Sequence, residues 1–325
     1  MTLLTECLGK YDALCARIAG SQDDVVYVET MPRFPWARIG VRGDAVMLIL
    51  PSNGLETMAV HELEHIHIHP HAEFNVRDAA GDRTELVTVV ATKGRDGWLV
   101  EAFFELTAML FETGVKQTPH SVRELIDDLV ALFRALTQPA LRSLIGLWGE
   151  LFVIYRSTNP QELVAVWHST PRDKFDFSRG HERIEVKTTT GPRIHNFSHT
   201  QLVVPSGIRV TVASLVLNQA EDGHTCADIA QLILAQLTDD AHRRKFIEQV
   251  IRTLGEDWKK QGGEAFDIEQ AKLSLKFFDA RDIPKVIDPI PTQVTAVKYQ
   301  SDLQAVPELK ISELTRNDIL TLSIR

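Results

Sequence analysis

The chain has 325 residues, of which 44% are hydrophobic, and carries a formal net charge of −9. This length and composition predict two domains, or one domain with a large appendage, around a well-packed apolar core. The negative charge and a pI near 5.7 exclude a chain whose whole surface attracts a polyanion, as the surface of a free-standing DNA-binding domain does.

Residues 1–100 are predicted to be mostly β-strand. Short alternating or apolar runs, separated by turns that contain Gly or Asn, occur at residues 25–29, 37–41, 45–50, 65–69 and 84–92, and from Trp98 onward. We interpret this region as an N-terminal β-rich domain with a twisted antiparallel sheet.

Residues 101–325 are predicted to form a helical connector and then a mixed core with a C-terminal β region. Helices are expected at residues 101–113, 122–137 (opened by a capping box of Ser121 and Glu124), 143–156, 227–237 and 240–254. Strands are expected at residues 201–204 and 209–217, a β-hairpin region at residues 272–299, and a polar tail up to Arg325. Helices and strands in this order predict an α/β or α+β sandwich.

An Asp on one predicted strand and a Glu-x-Lys on the next form the most informative pattern in the chain. Residues 175–177 are predicted to be a short strand, residues 178–182 a turn and residues 183–189 a second strand. Because side chains alternate along a strand, Glu185 and Lys187 lie on the same face.

The position of the turn determines which residue lies opposite Asp176. If the turn centres on residues 180 and 181, Asp176 lies opposite Glu185, with Cβ atoms about 5 Å apart. If it centres on residues 179 and 180, Asp176 pairs with Arg183 and still faces the side of Glu185 and Lys187. A bulge of one residue would instead turn Asp176 to the other face.

These residue types suit a hard divalent cation. Mg²⁺ prefers carboxylate, carbonyl and water oxygens, which Asp176, Glu185 and the carbonyl of Val186 would provide. Lys187 beside the ion would orient or deprotonate an attacking water, or neutralise developing charge, in phosphodiester hydrolysis. The alternative is a surface strand with alternating charges. The triplet recurs at Asp257-Trp258-Lys259 and Glu308-Leu309-Lys310, though without an Asp-bearing strand just upstream.

Glu150 provides a further carboxylate. Residues 143–156 are apolar nearly all round, which predicts a largely buried helix, and Glu150 shares the face of Leu147 and Ile154. A buried charge needs a partner or a metal. The alternative is an ion pair with Arg156 or Arg142 at the edge of the helix. Glycines at positions 146 and 149 would let a strand pack closely against this helix.

These motifs together resemble a known superfamily. GLWGEL in a helix, then FDF, IEVKTTT and SHTQL, is similar to the PD-(D/E)XK nucleases, and more narrowly to an uncharacterised PD-(D/E)XK-motif protein family of bacterial defence (restriction-like) islands. The resemblance covers most of the chain and implies a restriction-endonuclease-like core. It also implies that Asp176 and Glu185 bind metal, that Lys187 is the catalytic lysine, that Glu150 completes the site and that Gln201 supports it.

The sequence departs from the superfamily pattern at two positions. Phe175 stands where the superfamily name has Pro, a position that varies in the superfamily. Pro205 stands where a RecB-type Gln-x-x-x-Tyr element would have its Tyr.

A second motif, His61-Glu62-Leu63-Glu64-His65, matches the zinc-protease pattern H-E-x-x-H. Its context favours an extended conformation, because residues 65–69 alternate strictly between His and Ile and Pro70 follows. On one strand, His61 and His65 would be about 13 Å apart, too far for a shared zinc. The row of histidines would be a solvated strand face, or would bind incidental metal.

Local charge and cysteine content set the expected surroundings. Residues 172–199 carry six positive residues against four negative ones, at Arg172, Lys174, Arg179, Arg183, Lys187 and Arg193 against Asp173, Asp176, Glu182 and Glu185. We therefore expect phosphate binding at this one cleft and delivery to substrate by partner subunits. Three cysteines without C-x-x-C spacing, the absence of a secretory leader and the absence of a transmembrane-length run indicate a cytoplasmic protein without membrane contact.

The sequence therefore predicts a Mg²⁺-dependent DNA endonuclease subunit, with Mn²⁺ able to substitute. The resemblance implies a restriction-like or anti-phage role beside operon partners such as an ATPase and a methyltransferase. The alternative is a catalytically silent scaffold or DNA-docking subunit that keeps the nuclease fold, which the acidic surface favours.

Overall fold

The computed structural model describes residues 2–18, 25–168, 173–287, 289–294 and 296–310. Within these ranges the chain divides into two compact units, Met1–Pro139 and Ala140–Arg325. The first unit contains three described helices in addition to the predicted sheet. The domain boundary proposed near residue 100 stays a prediction, and the polar tail from residue 311 onward lies outside the described residues.

The first unit begins with helix α1 (Leu3–Ile18), which the sequence reading missed. Its strands are β1 (Val26–Met31), β2 (Phe34–Arg42), β3 (Ala45–Pro51), β4 (His61–Glu62), β5 (Ile66–Asp78) and β6 (Gly81–Thr92). They form one sheet in the order β1-β2-β3-β6-β5-β4, and β1 also pairs parallel with β5. Five strands therefore close into a ring, where a purely antiparallel sheet was predicted.

Two helices follow in the same unit, α2 (Gly97–Phe111) and α3 (Pro119–Ala135). The strand predicted from Trp98 onward is wrong, because α2 includes this residue and is buried along most of its length. The predicted capping box is also wrong. Thr118 caps α3 through its side chain, which accepts from the backbone N–H of Ser121, and Pro119 opens the helix.

As the sequence predicted, the zinc-protease motif does not form a helix. His61 and Glu62 form β4, which pairs antiparallel with β5 at Ile68 and His67, and residues 63–65 form the turn between the two strands. In β5 the Ile side chains are buried and the His side chains between them are partly exposed.

The second unit begins with α4 (Leu144–Arg156) and α5 (Pro160–Val166), followed by β7 (Phe177–Arg179), β8 (Glu182–Thr189) and β9 (Ile194–Ser198). A single helical turn, α6 (His199–Leu202), precedes β10 (Arg209–Val216), β11 (Gln219–His224), α7 (Cys226–Leu234) and α8 (Asp240–Leu254). A 3-10 helix spans Gly255–Gly263, and α9 (Ile268–Ser274), β12 (Lys276–Asp279) and β13 (Lys298–Asp302) end the described elements.

Two sheets organise this unit. One has the order β12-β10-β8-β7, with β8 and β10 parallel, and the other pairs β13 with β9. Two sequence predictions are therefore wrong. Residues 201–204 begin in α6 and do not form a strand. The described part of residues 272–299 contains no hairpin, since β12 pairs with β10 and β13 pairs with β9.

Helix α4 packs directly on strand β8, and it is buried along most of its length, as predicted. Gly149 makes this contact possible, because a Cβ at that position would lie 2.2 Å from Thr188 Cγ2. A Cβ on Gly146 would meet only Ser143 Oγ, at 3.2 Å, so this glycine faces the start of its own helix and not the strand.

The opposite face of the sheet carries a second apolar layer. Phe197 and Leu202 pack there with Val210, Val212 and Phe278. Because Val212 pairs with Glu185 in the parallel ladder, Glu185 and Lys187 project toward this layer, whereas Val186 and Thr188 face α4. The two layers hold β8 in place at the candidate site.

The fold is a mixed α+β architecture consistent with a restriction-endonuclease-like core and an N-terminal region rich in sheet, as the sequence predicted. Among the residues that the structure describes, none of the helices combines the length and the apolar character needed to span a membrane.

Candidate metal centre

The hairpin that carries Asp176 and Glu185 has the first of the two predicted registers. Phe177 pairs with Ile184 and Arg179 with Glu182, so the turn lies at Gly180 and His181. Gly180 adopts a φ of +49°, a left-handed conformation that favours glycine in such a turn.

The sequence predicted Asp176 within a strand, but this residue lies one position before strand β7. Its Oδ2 accepts a hydrogen bond of 2.7 Å from the backbone N–H of Val186. The Asp176 carboxylate thus holds the edge of β8 where β7 has ended, one residue from Glu185. Because the N–H and C=O of one strand residue point to the same edge, the Val186 carbonyl is on the side of Asp176.

Glu150 is brought to Asp176 by α4. Its side chain is 2% exposed, and Trp167 Nε1 donates to its Oε2 at 2.8 Å. Arg142 Nε lies 3.3 Å from Glu150 Oε1, so the ion pair considered as the alternative for Glu150 is present.

Arg142 also contacts Asp176. No pattern in the sequence predicted this contact. Arg142 Nη2 lies 3.0 Å from Asp176 Oδ1, and the side chain of this arginine is one-third exposed. A guanidinium thus bridges two buried carboxylates from different elements and compensates part of their charge.

His168 completes this cluster and was missed by the sequence analysis. Its backbone N–H donates to the carbonyl of Asp176 at 2.8 Å, and its Nδ1 lies 3.3 Å from Glu150 Oε2. One ligand atom from each of Glu150, His168 and Asp176 lies within 4.8 Å of the other two, and all three residues are buried. The available signal was a histidine eight residues before the Asp, directly after a Trp.

Glu185 is held on the other side by Lys187 and Gln201. Lys187 Nζ lies 2.7 Å from Glu185 Oε1, and Gln201 Nε2 donates to the same oxygen at 2.5 Å. Gln201 can do this because its Oε1 accepts the backbone N–H of Ser198 at the start of α6, which fixes the amide. Lys187 Nζ also lies 5.2 Å from the centre of the Phe197 ring.

Burial and a neighbouring carboxylate raise the pKa of both glutamates of the site. Burial, followed by the charge of Asp176, raises the pKa of Glu185 to about 8, against the lowering effect of Lys187 and Arg142. Burial and Asp176 likewise raise the pKa of Glu150 well above its usual range. Lys187 and Arg142 compensate only part of this buried negative charge. The site therefore favours the binding of a further cation.

Three buried ligand atoms at this place make no hydrogen bond to the described residues: His168 Nδ1, Asp176 Oδ1 and Glu185 Oε2. Buried polar atoms normally have a partner, so each such atom requires an explanation. Arg142 offers Asp176 Oδ1 charge compensation but no well-directed hydrogen bond. The ligand atoms of Glu150, His168 and Asp176 are close enough together to hold one divalent metal ion, a group that does not include Glu185.

The structure thus brings together all the predicted site residues, Asp176, Glu185, Lys187, Glu150 and Gln201, and adds His168 and Arg142. The roles of these residues, including the carbonyl of Val186 as a ligand, stay predictions. The other D-x-K triplet, at Asp257, lies in the 3-10 helix Gly255–Gly263, where Asp257 pairs with Lys260.

A mixed sheet with an acidic hairpin and a helix that carries a buried glutamate defines a nuclease-like core. The chain belongs to the family described as "Putative PD-(D/E)XK family member (DUF4420)", whose model matches residues 39–304. No curated protein and no solved structure matches the chain. The superfamily resemblance is confirmed, and the association with defence islands stays a prediction.

Proposed function

We propose that this protein is a Mg²⁺-dependent DNA endonuclease subunit that hydrolyses phosphodiester bonds, with Mn²⁺ able to substitute. The observation that carries the proposal is the convergence of three buried carboxylates, Glu150, Asp176 and Glu185, beside Lys187. Two of these carboxylates have an oxygen without a hydrogen bond, as a metal site requires. Like charges are costly to bury together unless a cation is to be bound.

Each residue of the site has a proposed role that follows from its position. Asp176, just before β7, and Glu185, on β8, would bind the ion together with Glu150 on α4 and the Val186 carbonyl. The ion, when bound, would act as a Lewis acid on the phosphate and lower the pKa of a water molecule. Lys187 would orient that water or take part of the charge that develops on the phosphate. Gln201 positions Glu185 and so acts indirectly.

DNA is the proposed substrate, and the surface around the site indicates weak binding by the chain alone. Arg193 is engaged with the backbone carbonyls of Ser214 and Ser274, and Arg179 pairs with Glu162, so neither is a ready phosphate contact. Lys174 is exposed, while Arg172 lies outside the described residues. We therefore propose that cytoplasmic partners from the same operon, such as an ATPase or a methyltransferase, deliver this subunit to invading DNA.

Cleavage assays test the proposal directly. Supercoiled plasmid and linear duplex are incubated with the full chain in MgCl₂ or MnCl₂, alone and with the proteins encoded beside it. We expect metal-dependent cleavage that Asp176→Ala and Lys187→Ala each reduce by about 100-fold or more. Lys259→Ala, which alters the triplet outside the site, is the matched control and should cleave as the unaltered chain does.

The results separate the proposal from its alternatives. Cleavage that survives both site substitutions would assign the activity to another site or to a contaminant. Absence of cleavage in every combination of metal, DNA and partner would favour the scaffold.

One observation favours the second candidate, a silent scaffold or DNA-docking subunit. Arg142 already supplies a positive charge to Glu150 and Asp176, so these carboxylates have a structural counter-ion without metal. A scaffold of this kind would bind partners or DNA equally well with Lys187 replaced by Ala, whereas an enzyme subunit would lose its activity.

A further inference from the structure

His168 is held rigidly beside the carboxylates by contacts on both its backbone and its ring. Its N–H donates to the Asp176 carbonyl at 2.8 Å, and its ring lies against that of Trp167, with centroids 5.4 Å apart. Trp167 is fixed in turn by its hydrogen bond to Glu150 Oε2. The side chain of His168 is 5% exposed, so it cannot turn into solvent without local rearrangement.

The ring nitrogen that faces the carboxylates has no hydrogen-bond partner among the described residues. Nδ1 lies 3.3 Å from Glu150 Oε2 and makes no hydrogen bond to it or to any other described residue. An oxygen of Asp176 in the same cluster is also without a hydrogen bond. A buried imidazole nitrogen aimed between two carboxylates without a hydrogen bond has the arrangement of a metal ligand.

A nitrogen ligand changes which ion the site prefers. Mg²⁺ selects oxygen ligands and parts reluctantly with water, whereas Mn²⁺ accepts imidazole together with carboxylates. Glu150 and Asp176 alone would suit either ion. The addition of His168 to this pair biases the cluster toward the transition metal.

We propose that His168 is a metal ligand through Nδ1, together with Glu150 and Asp176, and that it makes this centre prefer Mn²⁺ to Mg²⁺. This inference rests on the proposed metal centre and refines it: where the proposed function has Mg²⁺ with Mn²⁺ able to substitute, His168 places Mn²⁺ ahead of Mg²⁺. His168 is thus the residue that determines which metal ion the site prefers, whatever substrate is cleaved.

Pulsed electron paramagnetic resonance of the full chain loaded with MnCl₂ tests this without an activity assay. We expect electron spin-echo modulation from an imidazole nitrogen, and a changed pattern when the histidines are labelled with ¹⁵N. A His67→Ala, His69→Ala double variant removes two of the three partly exposed histidines of β5 and should keep the signal. His168→Asn, which offers an oxygen in place of Nδ1, should abolish it.

Calorimetric titrations with MnCl₂ and MgCl₂ provide the second readout. His168→Asn should lower the ratio of Mn²⁺ affinity to Mg²⁺ affinity by about tenfold or more. If His168→Asn fails to fold, the electron spin-echo spectrum of the unaltered chain still shows whether an imidazole nitrogen binds the ion.

The outcomes distinguish this inference from the proposed function. Mn²⁺ that binds without nitrogen modulation, and whose binding is lost in Asp176→Asn, would overturn the role of His168 and leave the nuclease site intact. Nitrogen modulation lost in the β5 double variant would also overturn it, because the ion would be on the first unit. Failure of both ions to bind the unaltered chain would overturn both the inference and the proposed function.

Discussion

At the scale of single residues, the site is a balance of charge between three acids and two cations. Glu150, Asp176 and Glu185 are each almost fully buried; Arg142 pairs with the first two and Lys187 with the third. Removing one partner of a buried pair leaves the other charge uncompensated, which costs more than the pair itself contributes. Arg142 is therefore a structural cation for as long as no metal ion is bound.

Replacing Arg142 with Met should destabilise the metal-free protein. We expect a loss of about 3 kcal/mol in the free energy of unfolding, because Glu150 and Asp176 lose their counter-ion. The same substitution should strengthen Mn²⁺ binding, since the ion no longer competes with the guanidinium. Urea unfolding in EDTA and in excess MnCl₂ measures both effects.

The control for that substitution is Arg179→Met, which removes an exposed pair with Glu162. Its effect should be below about 1 kcal/mol and independent of metal. Equal losses in the two variants would show that Arg142 is an ordinary surface residue.

At the scale of secondary structure elements, the distance between α4 and β8 sets the position of Glu150. That distance depends on Gly149, where a Cβ would meet the methyl carbon of Thr188. Thr188 Oγ1 also donates to the carbonyl of Ile145 at 3.0 Å, so helix and strand are joined by a hydrogen bond as well as by packing.

Gly149→Ala should therefore destabilise the second unit and weaken metal binding. The added methyl forces α4 away from β8, at a cost of about 1 to 3 kcal/mol. Gly146→Ala is the matched control in the same helix. It should be neutral or slightly stabilising, because Ala favours the helix and only Ser143 Oγ is near. Chemical denaturation and Mn²⁺ titration of both variants check this, and equal stability would contradict the packing argument.

The elements also show how far sequence patterns reach. Alternation around Glu185 and Lys187, together with a glycine at the turn, was enough to predict the hairpin of β7 and β8, but it left two registers open, and the structure shows which of them is adopted. Arg142 was considered only as a partner of Glu150, because its approach to Asp176 depends on tertiary packing across loops. The apolar residues after Gln201 suggested a strand, but Ser198 three residues earlier forms a capping box with Gln201, and that signal was present in the sequence.

At the scale of the whole molecule, protonation of the site links its charge to global stability. The folded chain holds the Glu185 pKa at about 8, above the ordinary value of 4.5 that an unfolded chain approaches. Between these values the folded state binds more protons than the unfolded state, so the contribution of this group to stability is present below about pH 4.5 and is lost as the pH rises toward 8. Glu150 acts in the same direction.

Without metal, the stability of the protein should therefore fall between pH 5 and pH 8, by up to about 1 kcal/mol per pH unit. Glu185→Gln, which has no proton to lose, should flatten this slope. Saturating MnCl₂ should reverse it, because the ion binds the deprotonated carboxylates. Urea unfolding in EDTA across this pH range is the measurement, and a slope that is the same in Glu185→Gln would contradict the assignment of the effect to this residue.

The position of Arg142 has a consequence for the order of events in the life of the molecule. Because Arg142 supplies a positive charge to Glu150 and Asp176, these two buried carboxylates have a counter-ion before any metal ion is bound. Under the proposed function, metal binding would then be an exchange of one cation for another. The guanidinium is one-third exposed, so it has a path outward through which such an exchange can proceed.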